Sequence, residues 1–392
     1  MLIDATAIPA DRGGVGRYVD ELVHALDAAG YRFAIACQER DGDRFRELAP
    51  SAAVHAVSGI SGTGRRLLWE QFGLPRLARR VGARLIHSPH YTVPVFTRRK
   101  RVVAFWDATF FSDPKVHTRL KRRFFPAWMR VSRRLADAVV VSSEATASEL
   151  DRFMKPIPGR AYRVVYLGAN HQLFHPSDAA TIAGARDRLG LPEHWIAFLG
   201  TIEPRKNVPA LIDAYASVAR GWTGAAEALP ALAIAGQDGW DVDLAPHLAA
   251  VSAPGRAIRL GYIELSDLPA YLGGADFVAY PSLGEGFGLP VVEAMACGAA
   301  VLTTRRLSLP EVGGDAVEYT EPDVASLTTA IGGLLADSSR REQLGRLGIA
   351  RAAGFNWGAT ASATSAIWDE VLGHRSLSGN GRSLSEVEGP PR

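Results

Sequence analysis

Cysteine is scarce in this chain, with two in 392 residues. Cys37 and Cys297 lie far apart, outside any Cys-x-x-Cys pair or Cys/His zinc spacing. That excludes a disulfide-stapled scaffold and a structural zinc site, and it fits a reduced setting. A leader is lacking too. Met1-Leu2-Ile3-Asp4 has no basic segment followed by an apolar one, so no secretory signal is expected. Long apolar runs are missing. The nearest, 286–304, is interrupted by Glu293 and by several Gly and Pro, and it reads as a loop, a helix and a strand. Hydrophobic residues make up 47% and charged residues 22%, which excludes a collagenous or wholly disordered chain.

What is present is a repeated grammar. Leu2–Ala7, Phe33–Cys37, Arg84–His87, Arg101–Trp106, Ala138–Ser142 and Arg163–Tyr166 read as strands, with helical periodicity between them. Val19, Leu22, Val23 and Leu26 mark the first helix. The second half repeats this with Trp195–Gly200, Ala231–Gly236, Ile258–Leu260, Phe277–Tyr280 and Val301–Thr304. Residues 323–353 read as two helices, and Phe355–Leu372 as a last one. Strands alternating with helices predict two doubly wound α/β units with parallel sheets. The boundary falls near Gly168–Ser177, giving units over 1–170 and 171–355. A helix over 356–373 and a Ser/Gly/Pro-rich, disordered tail over 374–392 follow.

Charge divides the same way. Residues 1–168 hold 28 Lys and Arg against 16 Asp and Glu, a balance of +12. Residues 169–392 hold 16 against 25, a balance of −9, and the total is +3. Such asymmetry points to units with different partners.

The most specific stretch is Pro281-Ser282-Leu283-Gly284-Glu285-Gly286-Phe287-Gly288-Leu289-Pro290-Val291-Val292-Glu293, after a strand and opening a helix. Pro290 suits a first helical turn. The glycines admit a ligand close to the backbone, and a helix N-terminus suits phosphate. Glu285 in the loop and Glu293 in the first helical turn suit binding of hydroxyls. On the residues alone, a solvated Glu285 and a dipole-complementing Glu293 explain the pair as well. Gly200-Thr201-Ile202-Glu203-Pro204-Arg205-Lys206-Asn207 also joins a strand to a helix. Arg205 and Lys206 can neutralise a diphosphate. Two cations sit badly at a helix N-terminus unless an anion is near. Gly13-Gly14-Val15-Gly16 is a weaker glycine turn that lacks the third glycine of a dinucleotide fingerprint, which argues against a nicotinamide-dependent dehydrogenase.

The Glu285/Glu293 spacing, Glu-x7-Glu, and the wording around it resemble the retaining glycosyltransferases of family GT4, in their bacterial mannosyltransferase-like branch. The resemblance runs from the first strand to about Leu372. It implies the GT-B architecture, two Rossmann-like domains facing a cleft, with acceptor on the first and nucleotide-sugar on the second. It implies catalytic roles for Glu285, Arg205, Lys206 and Asp107. Donor contacts are implied for Gly14, Gly16, Arg205, Lys206, Tyr262, Ile263, Glu285, Gly286, Phe287, Gly288, Leu289 and Glu293. The family often has His-Asp where this chain has Trp106-Asp107, so no His carries over there. His90 and His117 are candidates for the acceptor side. No metal and no cofactor are expected, the sugar nucleotide being substrate, with GDP-mannose the favoured donor by resemblance. The implied acceptor is a glycan or lipid-linked glycan. A non-catalytic sugar-nucleotide-binding subunit is the alternative, and a nucleotide-sugar epimerase is disfavoured.

Residues 98–134 hold 12 basic and 2 acidic residues. Arg119, Lys121, Arg122 and Arg123 precede Phe124, Phe125, Trp128 and Met129. Such a segment suits an anionic membrane face over 119–130. No nucleic-acid motif accompanies it. The expected location is cytoplasmic, peripheral at the inner membrane face. A solvated helix with core aromatics is the other reading.

Overall fold

Apolar strands bounded by glycine and amphipathic helices dictate the layers seen in the computed structural model. It describes residues 1–10, 12–112, 119–240 and 242–373, without the side chains of 119–122. His117 and the expected tail over 374–392 lie outside these residues.

The first unit contains β1 (Leu2–Asp4), α1 (Gly13–Ala28), β2 (Ala34–Gln38), α2 (Gly42–Leu48), β3 (Ala53–Val57), α3 (Thr63–Arg80), β4 (Leu85–Ser88), β5 (Lys100–Phe105), α4 (Thr109–Ser112), α5 (Arg119–Leu135), β6 (Ala138–Val141), α6 (Glu144–Phe153) and β7 (Tyr162–Val164). Its sheet runs β3-β2-β1-β4-β5-β6-β7, with parallel pairing throughout. The central strands are buried along their length, as helices on both faces require. One core cluster joins Val103, Phe105, Val139 and Val141 to Met129 and Leu150.

The second unit contains α7 (Ala179–Leu189), β8 (Trp195–Leu199), α8 (Val208–Arg220), β9 (Ala231–Ala235), α9 (Ala245–Ala249), β10 (Ala257–Gly261), α10 (Leu268–Gly273), β11 (Phe277–Tyr280), α11 (Leu289–Ala296), β12 (Val301–Thr304), α12 (Leu309–Gly313), β13 (Glu318–Thr320), α13 (Val324–Ala336) and α14 (Ser338–Ala352). Its parallel sheet runs β10-β9-β8-β11-β12-β13. The chain leaves the first unit after Gly168 and rejoins it at Trp357. There α15 (Trp357–Leu372) packs in the first unit. Trp368 Nε1 donates to His87 Nδ1 at 3.0 Å, and Arg163 forms a two-pronged pair with Glu370 at 2.7 and 2.5 Å.

In each parallel sheet the strand order reverses once, between β1 and β4 in the first unit and between β8 and β11 in the second. In open α/β sheets a ligand binds beyond the strand C-termini at that reversal. β3 and β13, which carry little sequence signal, are both edge strands. β1 stops at Asp4, earlier than expected, because the Asp4 carboxylate accepts from Thr6 N and Oγ1 and turns the chain into a short 3₁₀ turn.

Candidate functional site

In the second unit both strong motifs lie at the sheet reversal. The loop after β8 carries Arg205 and Lys206, and the loop after β11 carries Glu285. The backbone ties them, since Leu283 N donates to Arg205 O at 2.8 Å. Ser282 Oγ also lies 3.1 Å from Arg205 O. Arg205 then reaches Gly284 O at 2.8 Å, Glu203 Oε1 at 2.6 Å, and Glu285 Oε2. Lys206 Nζ meets Glu285 Oε1 at 2.6 Å and Tyr280 Oη at 2.5 Å. Glu285 Oε1 further accepts from Ser282 Oγ at 2.7 Å and Tyr280 Oη at 2.9 Å.

Two cations and two carboxylates are thus packed together, with Glu203, Lys206 and Glu285 each buried. Burial alone would raise the Glu285 carboxyl. The Arg205 and Lys206 charges, with hydrogen bonds from Lys206 and Ser282, hold it down at about 2. Burial and the neighbouring Arg205 push the Lys206 ammonium below its usual value, against the pull of Glu285 and Glu203. Burial, then Glu285, pushes the Tyr280 phenol well up, so it stays a donor. The cluster is a fixed array of charges in low dielectric, which is the form electrostatic stabilisation takes in enzymes.

Two helix ends frame it. α11 follows Gly288 (φ 104°), and α8 follows Asn207 (φ 57°), neither with a side-chain cap. Their first-turn amides suit an anion. Gly288 is required by its backbone, and a Cβ there would also meet Leu309 at 3.0 Å. Ser308 Oγ lies 2.8 Å from both Glu285 O and Phe287 O, its one hydroxyl proton serving either carbonyl, and sets the loop from the other side. Glu293 is the fifth residue of α11, in its second turn, and 2% exposed. This corrects the first-turn expectation: the helix begins at Leu289, after the left-handed Gly288. Simple dipole complementation therefore does not account for it. Phe287 is buried edge-on against Phe355, while Gly286 and Leu289 are half-buried. Tyr262 is 62% exposed just past β10, and Ile263 beside it is buried. Glu203, Tyr280, Ser282 and Ser308 join the site without having been singled out in the sequence. Their signal was position, since Tyr280 ends a strand, Glu203 and Ser282 lie within the two motifs, and Ser308 directly precedes α12.

In the first unit the reversal holds different chemistry. Gly13 and Gly14 open α1 exposed, and a Cβ on Gly14 meets nothing within 4 Å. On Gly16 it would lie 2.6 Å from Arg12 Cβ. Arg12 (φ 58°) is clamped by Asp20 and, at 2.7 Å, by Asp41. Trp106 ends β5. Its Nε1 donates to Pro89 O at 2.7 Å, and its ring lies 4.2 Å from that of Tyr18. Asp107 accepts from Thr109 N at 3.0 Å and Thr109 Oγ1 at 2.7 Å. His90, beyond β4, lies edge-on to Tyr91 and Phe125. His87 is fully buried, and burial pushes its imidazole down to about 3, so it is a neutral core residue. The structure thus gathers Arg205, Lys206 and Glu285 into one cluster. Gly14, Gly16, His90 and Asp107 stand around the first unit's reversal.

In the basic segment Phe125 packs against the core, and Phe124 stacks on Trp128 at 5.4 Å. Arg133 is buried over the Tyr162 ring, and Arg130 lies over that of Phe111. Among the described residues no helix is long and apolar enough to cross a membrane. No group of three His, Cys, Asp or Glu there could hold a metal ion.

Two parallel-sheet Rossmann-like units, one with a charge cluster at its reversal, define a GT-B fold of the glycosyltransferase class. The family model "Glycosyltransferase Family 4" matches residues 12–173, and "Glycosyl transferases group 1" matches 186–351. The chain is 30% identical over 335 residues to D-inositol 3-phosphate glycosyltransferase 2 of Catenulispora acidiphila, covering 81% of this chain and 70% of that one. It is 29% identical over 367 residues to O-antigen chain mannosyltransferase B of Escherichia coli, covering 88% and 92%. In fold it is similar to sucrose-phosphate synthase from Thermosynechococcus elongatus, with TM-score 0.75, 22% identity, and 95% and 98% covered. HepE of Anabaena, solved with UDP-glucose, gives TM-score 0.73 at 17% identity, with 94% and 99% covered. This chain belongs to glycosyltransferase family GT4.

Proposed function

We propose that the chain is a retaining, metal-independent enzyme that moves a sugar from a nucleoside diphosphate sugar to a hydroxyl of a glycan or lipid-linked glycan. Mannose is the favoured sugar and GDP-mannose the favoured donor. The observation that carries this is the Arg205–Lys206–Glu285 cluster, set between two uncapped helix ends at the sheet reversal. Arg205 and Lys206 stabilise charge growing on the leaving diphosphate. Glu285, ionised at any working pH, opposes positive charge developing on the sugar ring. Glu293 holds ribose hydroxyls. The acceptor hydroxyl attacks on the face from which the diphosphate leaves, and a donor phosphate oxygen takes its proton. The Escherichia coli relative, by its name a mannosyltransferase of O-antigen chains, supports mannose and a glycan acceptor. HepE with UDP-glucose supports a nucleotide-sugar donor. A cytoplasmic location, where sugar nucleotides are made, goes with this reading.

The test is a panel of nucleotide sugars offered with glycan acceptors and read by mass spectrometry. Transfer from GDP-mannose is expected, and transfer from another donor alone would replace the mannose reading. Trp106 favours one competing reading, a non-catalytic sugar-nucleotide-binding subunit. Its indole, fixed by Pro89 O, stands where family members often carry a histidine. Donor hydrolysis without acceptor distinguishes the two, because a binding subunit would release no sugar.

A further inference from the structure

The charges of the second unit's cluster cancel among themselves. Arg205 and Lys206 face Glu203 and Glu285, two of each sign. A diphosphate entering that array brings further negative charge. An uncompensated buried charge is costly, so one carboxylate has to give way. The two are not held alike. Glu285 is locked by four groups, Arg205, Lys206 at 2.6 Å, Ser282 at 2.7 Å and Tyr280 at 2.9 Å. Among the described residues Glu203 has one hydrogen-bond partner for its carboxylate, Arg205 Nη2 at 2.6 Å. Its backbone is pinned. Glu203 O accepts from Lys206 N at 3.0 Å, and Ile202 is tied to Gln237 O at 2.9 Å and to Gly239 N at 3.0 Å. Only the Glu203 side chain can leave. Arg205 can stay, because Gly284 O at 2.8 Å and Glu285 keep its Nη1. Its side chain is also the more exposed of the two cations, 23% against 10% for Lys206, so a ligand reaches it first.

We propose that Glu203 is a stand-in for the donor's diphosphate. Between turnovers its carboxylate neutralises the Nη2 edge of Arg205. When donor binds, a phosphate oxygen takes that edge and the carboxylate turns to water. After transfer the carboxylate returns and displaces the nucleoside diphosphate, so it sets how fast product leaves. Glu203 is thus a positioning residue acting through Arg205. The inference rests on the reading of the cluster as a diphosphate site.

Calorimetry on the full chain with GDP, UDP and ADP in turn tests it, because the sign of the effect separates this role from a structural one. Glu203→Gln should bind the nucleoside diphosphate that wild type binds about tenfold more tightly. Donor KM and steady-state kcat should fall together, because release slows. Glu203→Ala should tighten binding by a similar factor. Glu203→Asp, which keeps the charge, should stay within about threefold of wild type. An acid that merely props Arg205 in place would weaken binding when removed. Unchanged or weaker binding in Glu203→Gln, or in Glu203→Ala if only that variant keeps the wild-type melting temperature, overturns the proposal. So does equal tightening of the matching nucleoside monophosphate, which lacks the outer phosphate. Wild type that binds none of the three nucleotides is a separate failure, which overturns the diphosphate reading and this inference with it.

Discussion

The two units share a sheet plan and differ at the place where it reverses. In the second, four charged groups meet there, two of each sign, and two helix ends stand open beside them. In the first, the corresponding position carries an indole, a tyrosine ring, a histidine and exposed glycines, and its ion pairs sit behind the loop, on Arg12, Asp20 and Asp41. The topology supplies a place for a ligand in both. The side chains decide which ligand. Two fixed cations, one buried and one half-buried, suit a diphosphate. Aromatic rings and backbone groups suit a sugar or glycan, which has no net charge to neutralise.

Four substitutions sharpen or break that contrast. Lys206→Met should have the largest effect, lowering kcat by roughly 10²-fold or more in single-turnover assays, because charge on the leaving diphosphate loses its partner. Undiminished turnover would remove the second unit's cations from the chemistry. Glu285→Gln comes next. The Glu285 carboxyl sits at about 2, below the ordinary 4.5. Its ionised form therefore stabilises the fold above pH 4.5, and this contribution is lost as pH falls toward 2. The variant should be less stable than wild type at neutral pH by up to about 3 kcal/mol, with the gap closing in acid. Thermal melts across pH check this, and a gap that widens in acid would contradict it. Glu293→Ala should cost donor affinity about 1.5–3 kcal/mol with less effect on kcat, read by calorimetry and by the KM–kcat split. Trp106→His should have the smallest donor effect. Its donor affinity should stay within about twofold of wild type, while acceptor KM shifts. A large loss of donor affinity would place the nucleotide on the first unit.

Much of this was legible in the chain. Eleven of the thirteen strands betray themselves as apolar runs because both faces of a parallel sheet are covered, as at Ala231–Ala235. β3 is half-exposed at an edge and β13 has three residues, so neither builds a run. The Pro281–Glu293 and Gly200–Asn207 stretches were readable because glycine, proline and paired charges together admit few structural uses. The mutual engagement of Arg205, Lys206 and Glu285 was not, since their loops are some 80 residues apart and meet only through β8–β11 pairing. Tyr280 was hidden for the same reason. The start of α11 depends on one glycine's left-handed backbone, which spacing does not reveal.

The central claim is that the cluster of the second unit holds the donor's diphosphate. Calorimetric titration of GDP, UDP and ADP in turn into wild type, Lys206→Met and Trp106→His tests it most directly. The account predicts that the nucleotide bound by wild type loses about tenfold or more in affinity on Lys206→Met, and that Trp106→His leaves it within about twofold. Unchanged binding to Lys206→Met, with loss on Trp106→His, would contradict it.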